Sequence, residues 1–312
     1  MSTAAVEAPA VEIRDLVMRY GDKAAVDGLS LTVAAGGVTA VLGPNGAGKT
    51  TTIETCEGYR RPQSGTVRVL GLDPRRDHRE LAPRVGVMLQ QGGAWSMVRA
   101  REMLGYVASL YSAALDVDLL VERLGLSSCG RTPYRRLSGG QQQRLGVAMA
   151  VVGRPDLVFL DEPTAGLDPQ SRHATWELVE ELSRDGVTVV LTTHYIEEAE
   201  RLASHVHVLD DGRLLASGSP AELTARASGE TIRFHASAGL DLAALAAAVP
   251  PGCTVTAHPG GGYAVSGDVS PHTLAAVTSW CAGHGIMPEH LSVGRATLED
   301  VFLDLTGREL RA

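Results

Sequence analysis

Gly43-Pro44-Asn45-Gly46-Ala47-Gly48-Lys49-Thr50 sits between an apolar run at 38–42 and a helical pattern at 49–57. Strand, glycine-rich turn and helix in that order, with the spacing G-x-x-x-x-G-K-[ST], make a loop that closes around an anion. The glycines let consecutive backbone N–H groups turn inward as a nest, and the helix start adds partial positive charge. Lys49 supplies a point charge for the β- and γ-phosphates of a nucleotide, and the Thr50 hydroxyl is a ligand for Mg²⁺. Thr51, next on the helix, is grouped with the loop as a nucleotide contact. A glycine-rich turn carrying a solvated lysine is the plain alternative, and the correct flanks on both sides weigh against it.

Outward from the loop, residues 11–70 read as short strands at 11–20, 29–33, 38–42 and 66–70, punctuated by Gly-Asp at 21–22 and Gly-Gly at 36–37. From about 92 to 152 the period becomes helical, at 101–114, 118–124 and 141–152, as an inserted helical subdomain. Strands return at 157–160, 187–192 and 205–209, separated by amphipathic helices at 171–185 and 196–203. Alternating strands and helices imply a mainly parallel sheet. Near 220–229 the composition turns to Ala, Gly and Pro. Strand-like runs at 231–235, 254–257 and 263–266, with helices at 241–249, 272–284 and from about 297, read as a small α+β domain. A partly disordered tail is the other reading of so Ala- and Gly-rich a stretch. The expected division is a tail at 1–10, a nucleotide domain at 11–225 and an accessory domain at 226–312.

Leu157-Val158-Phe159-Leu160-Asp161-Glu162 is an apolar strand ending in two carboxylates. In an open α/β sheet such a strand delivers its last residues to the edge where ligands bind. Asp161 is the carboxylate expected to hold Mg²⁺ through its water shell. Glu162 is placed to polarise an attacking water as general base. A solvated strand cap is the usual fate of an Asp-Glu pair, and the phosphate loop earlier in the chain is what changes that reading.

Composition narrows the classes. A net charge of −8 over 312 residues argues against a broad basic face for nucleic acid. No run approaches the length of a bilayer-spanning helix. Met1–Ala10 lacks the charged start and apolar run of a signal peptide. Cys56, Cys129, Cys253 and Cys281 form no CxxC pair, so reduced thiols are expected rather than a disulfide framework or a zinc site.

Leu137-Ser138-Gly139-Gly140-Gln141, continuing Gln-Gln-Arg-Leu, lies between the phosphate loop and the carboxylate strand. A serine and two glycines opening a helix form a second anion-binding nest. With this run, residues 10–225 resemble the ATPases of the ABC family. The resemblance implies a RecA-like P-loop NTPase core with an antiparallel β subdomain and a helical subdomain, followed here by the small C-terminal α+β domain. It implies ATP hydrolysis with Mg²⁺, in which Glu162, His194 and Gln90 are the catalytic residues and Thr50, Gln90 and Asp161 serve the metal. Tyr20 resembles the aromatic that stacks on adenine, although a Tyr at a strand end packs as often. Gln90 resembles the glutamine that senses Mg²⁺ and signals to the membrane subunit, with Gln91 one residue away in register. Asp168, in 164–168, resembles the loop that links the two sites of a dimer, and His194 the switch histidine at the γ-phosphate.

The same resemblance makes Ser138, Gly139, Gly140 and Gln141 act in trans. Two copies pack head to tail, each ATP lying between the phosphate loop of one and the signature of the other. A second ATPase subunit is therefore implied, a homodimer by preference. The tail, 296–303 with 306–310, resembles that of daunorubicin-resistance-type exporter ATPases, which pair with separate permeases of the ABC-2 type. An amphipathic terminal helix that only packs on its own domain is the alternative. The implied place is the cytoplasmic face of the cell membrane. A soluble ABC-type ATPase acting on ribosome or DNA is the competing function. A P-loop kinase of a small metabolite leaves 137–141 and His194 unexplained.

Overall fold

The computed structural model describes residues 8–89, 93–226, 230–237, 239–258, 260–295 and 297–306. The chain divides into two compact units, one up to Ser217 and one from Gly218.

In the first unit the strands are β1 (Val11–Tyr20), β2 (Lys23–Val33), β3 (Gly37–Leu42), β4 (Ser64–Val69), β5 (Val85–Met88), β6 (Leu157–Asp161), β7 (Thr188–Thr193), β8 (His205–Asp210) and β9 (Arg213–Gly218). β2, β1 and β4 make an antiparallel three-stranded sheet. The other six form one sheet in the order β5-β6-β7-β3-β8-β9, with β5 through β8 parallel. Every residue of β6 and β7 is buried, as a strand covered on both faces requires.

The helices are α1 (Lys49–Cys56), α2 (His78–Leu81), α3 (Ala100–Ala108), α4 (Val117–Arg123), α5 (Gly139–Val151), α6 (Pro169–Arg184) and α7 (Ile196–Leu202). α3 stops six residues short of the expected 114, where the Ser109 hydroxyl bonds the carbonyl of Tyr106 and the chain turns. α5 lies directly on β5: a Cβ at Gly86 would meet the carbonyl oxygen of Ala150 at 1.9 Å. One apolar cluster runs from Ile13, Leu16 and Leu29 in the antiparallel sheet to Leu157, Phe159 and Val190 in the parallel one. One continuous core therefore fixes the small sheet to the large one.

The second unit begins with α8 (Pro220–Arg226) and continues through β10 (Glu230–His235), α9 (Leu242–Ala248), β11 (Thr254–His258), β12 (Gly262–Gly267), α10 (Pro271–Gly283), β13 (Glu289–Arg295) and α11 (Leu298–Thr306). Its sheet is antiparallel in the order β11-β12-β10-β13. With helices after β10 and after β12, this is the split β-α-β topology of ferredoxin-like domains. Ile232, Phe234, Leu245, Val265, Val277 and Trp280 form its own core. On the opposite sheet face Arg233 Nε donates to Asp300 Oδ1 at 2.7 Å, tying α11 to β10. The division at 217/218 falls eight residues before the expected one, because α8 packs against α11 and so belongs with the second unit. The residues around 307–310, on which part of the tail resemblance rests, lie outside the described residues.

All four cysteines are free thiols. No helix among the described residues is long and apolar enough to cross a membrane.

Candidate active site

β6, β7 and β3 are neighbours in the sheet, with Asp161 opposite Thr192 and Leu42 opposite Thr193. Their carboxyl ends therefore place 43–50, 161–162 and 192–194 side by side, although 111 residues of chain separate Thr50 from Asp161 and 30 separate Glu162 from Thr192. Ligands bind at this end of a parallel sheet because the loops there are free to be shaped while the strands hold them still.

Two of the loop glycines are required by crowding. A Cβ at Gly43 would lie 2.3 Å from the carbonyl oxygen of Leu209, and one at Gly48 would lie 2.4 Å from that of Ala25. Gly48, at φ +96°, is also the N-cap of α1 and offers no side chain to its first N–H groups. Those donors are left facing the hollow of the loop, where an anion is their natural partner.

Lys49 is only 4% exposed. Its Nζ donates to the carbonyls of Gly43 at 2.7 Å and Pro44 at 3.2 Å, and stands 3.3 Å from Glu162 Oε1. Burial pulls the ammonium below its ordinary pKa, against the opposing pull of Glu162 and Asp161. Asp161 accepts from the hydroxyls of Thr50, at 3.3 Å, and of Thr192. Burial raises its carboxyl above the ordinary range, more than those two hydroxyls lower it.

Glu162 adopts φ +50°, a left-handed conformation that a non-glycine residue seldom takes. Its N–H donates to Thr192 Oγ1 at 2.9 Å and its carbonyl accepts from Gln143 Nε2 at 2.9 Å, which together hold that turn. The turn separates the two carboxylates: Asp161 faces Thr50, while Glu162 faces Lys49 and His194. His194 Nδ1 lies 3.3 Å from Glu162 Oε1. The imidazole beside it, and then Lys49, hold the Glu162 carboxyl below its ordinary range despite burial.

Tyr20, Lys23, Ala25, Pro44, Asn45, Gly46, Gly48, Lys49, Thr50, Thr51 and Glu162 line a cleft of about 420 Å³. This is the size of a small-molecule site. Tyr20 is 45% exposed at its mouth, with the Arg60 guanidinium 5.6 Å from the ring centroid. Lys23 and Ala25, on the opening turn of β2, escaped the sequence reading, since a lysine and an alanine after a turn carry no pattern. The Thr192 and Gln143 supports escaped it for the same reason.

The signature residues lie elsewhere. Ser138 caps α5, its hydroxyl accepting from Gln141 N at 3.3 Å while Gln141 Oε1 accepts from Ser138 N at 2.9 Å. Neither these two nor Gly139 and Gly140 line the cleft. Asp168 likewise caps α6, accepting from Ser171 N at 2.9 Å. A Cβ on Gly140 would come within 3.2 Å of Leu167 Cδ2, so the signature and the 164–168 loop are neighbours. Gln90 and Gln91 lie outside the described residues. No group of three or more His, Cys, Asp and Glu suited to a metal occurs among the described residues. The hydroxyl of Thr50 beside the carboxylate of Asp161 is instead an oxygen pair of the kind Mg²⁺ takes when water and phosphate complete its shell.

A buried lysine in a glycine loop at the end of a parallel sheet, with a separated carboxylate pair beside it, defines a P-loop nucleoside triphosphatase. The family described as ABC transporter matches residues 26–165. Daunorubicin resistance ATP-binding protein DrrA3 of Streptomyces coeruleorubidus is 37% identical over 310 residues, covering 97% of each chain. Nod factor export ATP-binding protein I of Ralstonia nicotianae is 38% identical, over 97% of this chain and 95% of its own. A solved ATP-binding subunit of an ABC transporter superposes with a TM-score of 0.63 at 25% identity, covering 70% of this chain and 92% of its own. The chain belongs to the ABC transporter family, as an ATP-binding subunit that hydrolyses ATP. Nothing in these likenesses supports the ribosome- or DNA-acting alternative.

Proposed function

We propose that this subunit binds Mg-ATP in the cleft above β3, β6 and β7 and drives export through a separate membrane permease. The observation that carries the reading is the buried charge cluster of Lys49, Glu162 and His194 around the phosphate loop, with Thr50 and Asp161 alongside. The N–H groups of the loop and Lys49 bind the β- and γ-phosphates. Thr50 and Asp161 hold the Mg²⁺, which when bound offsets charge on the phosphate oxygens. Glu162 accepts the proton of the attacking water, and His194 contacts the γ-phosphate. Gln90 completes the metal and water side. Tyr20 stacks on the base.

The signature of a second copy, Ser138 to Gln141, closes the cleft from outside, and Asp168 links the two sites. That these residues are exposed or half-buried and away from their own cleft supports the head-to-tail arrangement. A separate groove of about 350 Å³, lined by Tyr59, Val87, Leu89, Val107, Tyr111 and Met149, receives an apolar segment of the permease. The names of the two relatives above, one for daunorubicin resistance and one for Nod factor export, favour export. We read the cargo as a drug-like, lipidic or polymeric compound, the partner as a permease of the ABC-2 type, and the subunit's place as the cytoplasmic face of the membrane. Lys49→Ala is the test. Nucleotide binding by calorimetry and phosphate release should both be lost, and turnover at the wild-type rate refutes the reading.

A further inference from the structure

The chain is acidic, yet one of its clefts is lined by arginines. Between 57 and 84 there are seven arginines against Glu57, Asp73, Asp77 and Glu80, a local excess of 7 − 4 = 3 positive charges in a chain of net charge −8. Five of these, Arg60, Arg61, Arg68, Arg75 and Arg76, surround one cleft of about 480 Å³ on the first unit. They come from three segments: the turn after α1, β4, and the turn that follows β4. All five are exposed.

The acids nearby are already committed. Arg60 pairs with Glu54 at 2.9 Å. Glu12, opposite Arg68 in the sheet, accepts from Arg14 Nε at 2.9 Å. Asp73 is the one acid lining the cleft among the described residues, and its Oδ1 accepts the N–H groups of Arg75, at 3.0 Å, and Arg76, at 3.1 Å. Among the described residues no ion pair within 4.0 Å takes up Arg61, Arg68 or Arg75. The arginine turn is also held in place. A Cβ on Gly58 would lie 2.5 Å from the carbonyl of Pro74, so the turn rests on the end of α1.

Guanidinium groups unmatched by acids are receptors for phosphate oxygens, which they meet with paired N–H donors. A soluble phosphate is usually held by inward N–H groups in an enclosed nest. This cleft instead offers open cations on long stems, the form that suits a surface of many phosphates. Tyr59, next to Arg60 and 64% exposed, lies on the wall of the adjoining apolar groove. A ring of this kind beside basic residues suits the boundary between water and lipid.

We propose that this arginine cleft binds the phosphate headgroups of acidic phospholipids, holding the subunit against the membrane beside the permease groove. The orientation rests on the proposed function, since that groove is read as the permease-facing one. The binding itself is tested without permease or turnover. The purified full-length chain is sedimented with vesicles of phosphatidylcholine alone or with about one part in three phosphatidylglycerol. The expected result is binding to the acidic vesicles only, weakening as salt is raised.

The variant Arg61→Ala/Arg68→Ala/Arg75→Ala should partition about a hundredfold more weakly. Its ATPase rate in solution should be unchanged, which also reports that it is folded. Equal binding to neutral vesicles, binding by the triple variant equal to wild type, or binding by neither protein overturns the proposal. So does displacement by inorganic phosphate at millimolar concentration, beyond that of chloride at equal ionic strength, because it marks a soluble-anion site. Loss of permease pairing by the triple variant with vesicle binding intact reassigns the patch to a protein partner. A failure of the permease reading would appear instead as groove substitutions without effect on coupling, and would leave the vesicle result standing.

Discussion

Glu162→Gln tests the charge cluster twice, once without nucleotide and once with it. The substitution keeps the shape of the side chain and removes its charge. Without nucleotide, Glu162 is the nearest counter-charge of a nearly buried ammonium, at 3.3 Å. That separation corresponds to an attraction of about 5 kcal/mol at an effective dielectric constant of about 20. More than half is returned because a buried carboxylate no longer has to give up its hydration, and two carbonyls still accept from Lys49. A net loss of about 2 kcal/mol remains, which for a unit of about 200 residues lowers Tm by about 6 °C.

With Mg-ATP the sign reverses. The triphosphate supplies Lys49 with far more negative charge than the carboxylate did, and the neutral Gln no longer repels the γ-phosphate. Mg-ATP should therefore raise the Tm of the variant by more than it raises that of wild type, while phosphate release falls by about a thousandfold.

The pH dependence has a defined sign. The folded carboxyl lies below its ordinary value of 4.5. Its stabilising contribution is therefore complete above that value and is lost as pH falls through the lower folded one. The gap in Tm between wild type and variant should accordingly close on the acid side of about 4.5. An unchanged Tm without nucleotide refutes the charge-balance reasoning. Wild-type turnover removes Glu162 from the proposed role of base.

Two further outcomes concern the scaffold. Gly86→Ala forces a methyl group to within 1.9 Å of the Ala150 carbonyl, so β5 must lift from α5; urea unfolding should show a loss of about 3 kcal/mol, and a loss below about 0.5 kcal/mol would show that the contact yields easily. His207, 2% exposed, is pushed down to about 4 by burial and then by His205. Its folded pKa lies below the ordinary 6.5, so stability is full above that value and falls as pH drops towards about 4, by about 3 kcal/mol in all. His207→Gln should flatten that decline in urea midpoints compared at about pH 7.5 and about pH 4.5; an unchanged decline assigns it to other groups.

The site was legible where spacing carries chemistry and opaque where it does not. Residues 43–50 and 157–162 announce themselves because a glycine nest and a carboxylate at a strand end need those residue types at those intervals. Their convergence followed from a parallel sheet, and the adjacency of β3, β6 and β7 supplies it. The left-handed turn at Glu162 was not readable, because nothing in a Leu-Asp-Glu-Pro run tells which carboxylate turns away. β13 was missed since Val293 is its only strong strand former, set among Glu, His, Leu, Ser, Gly and Arg. The helix limits of α3 were missed because local turn bonds, rather than periodicity, decided them.

The two carboxylates show why the loop alone was an incomplete reading. Asp161 sits with two hydroxyls, and burial raises its carboxyl above the ordinary range. Glu162 sits with an imidazole and an ammonium, which hold its carboxyl below the ordinary range despite burial. The lysine proposed to bind the γ-phosphate is thus also a charge partner of the proposed base, 3.3 Å away. On the proposed reading, a bound triphosphate replaces Glu162 as the partner of Lys49 and lifts that restraint. The Glu162→Gln cycle measures that exchange of partners, because the variant has no restraint to release.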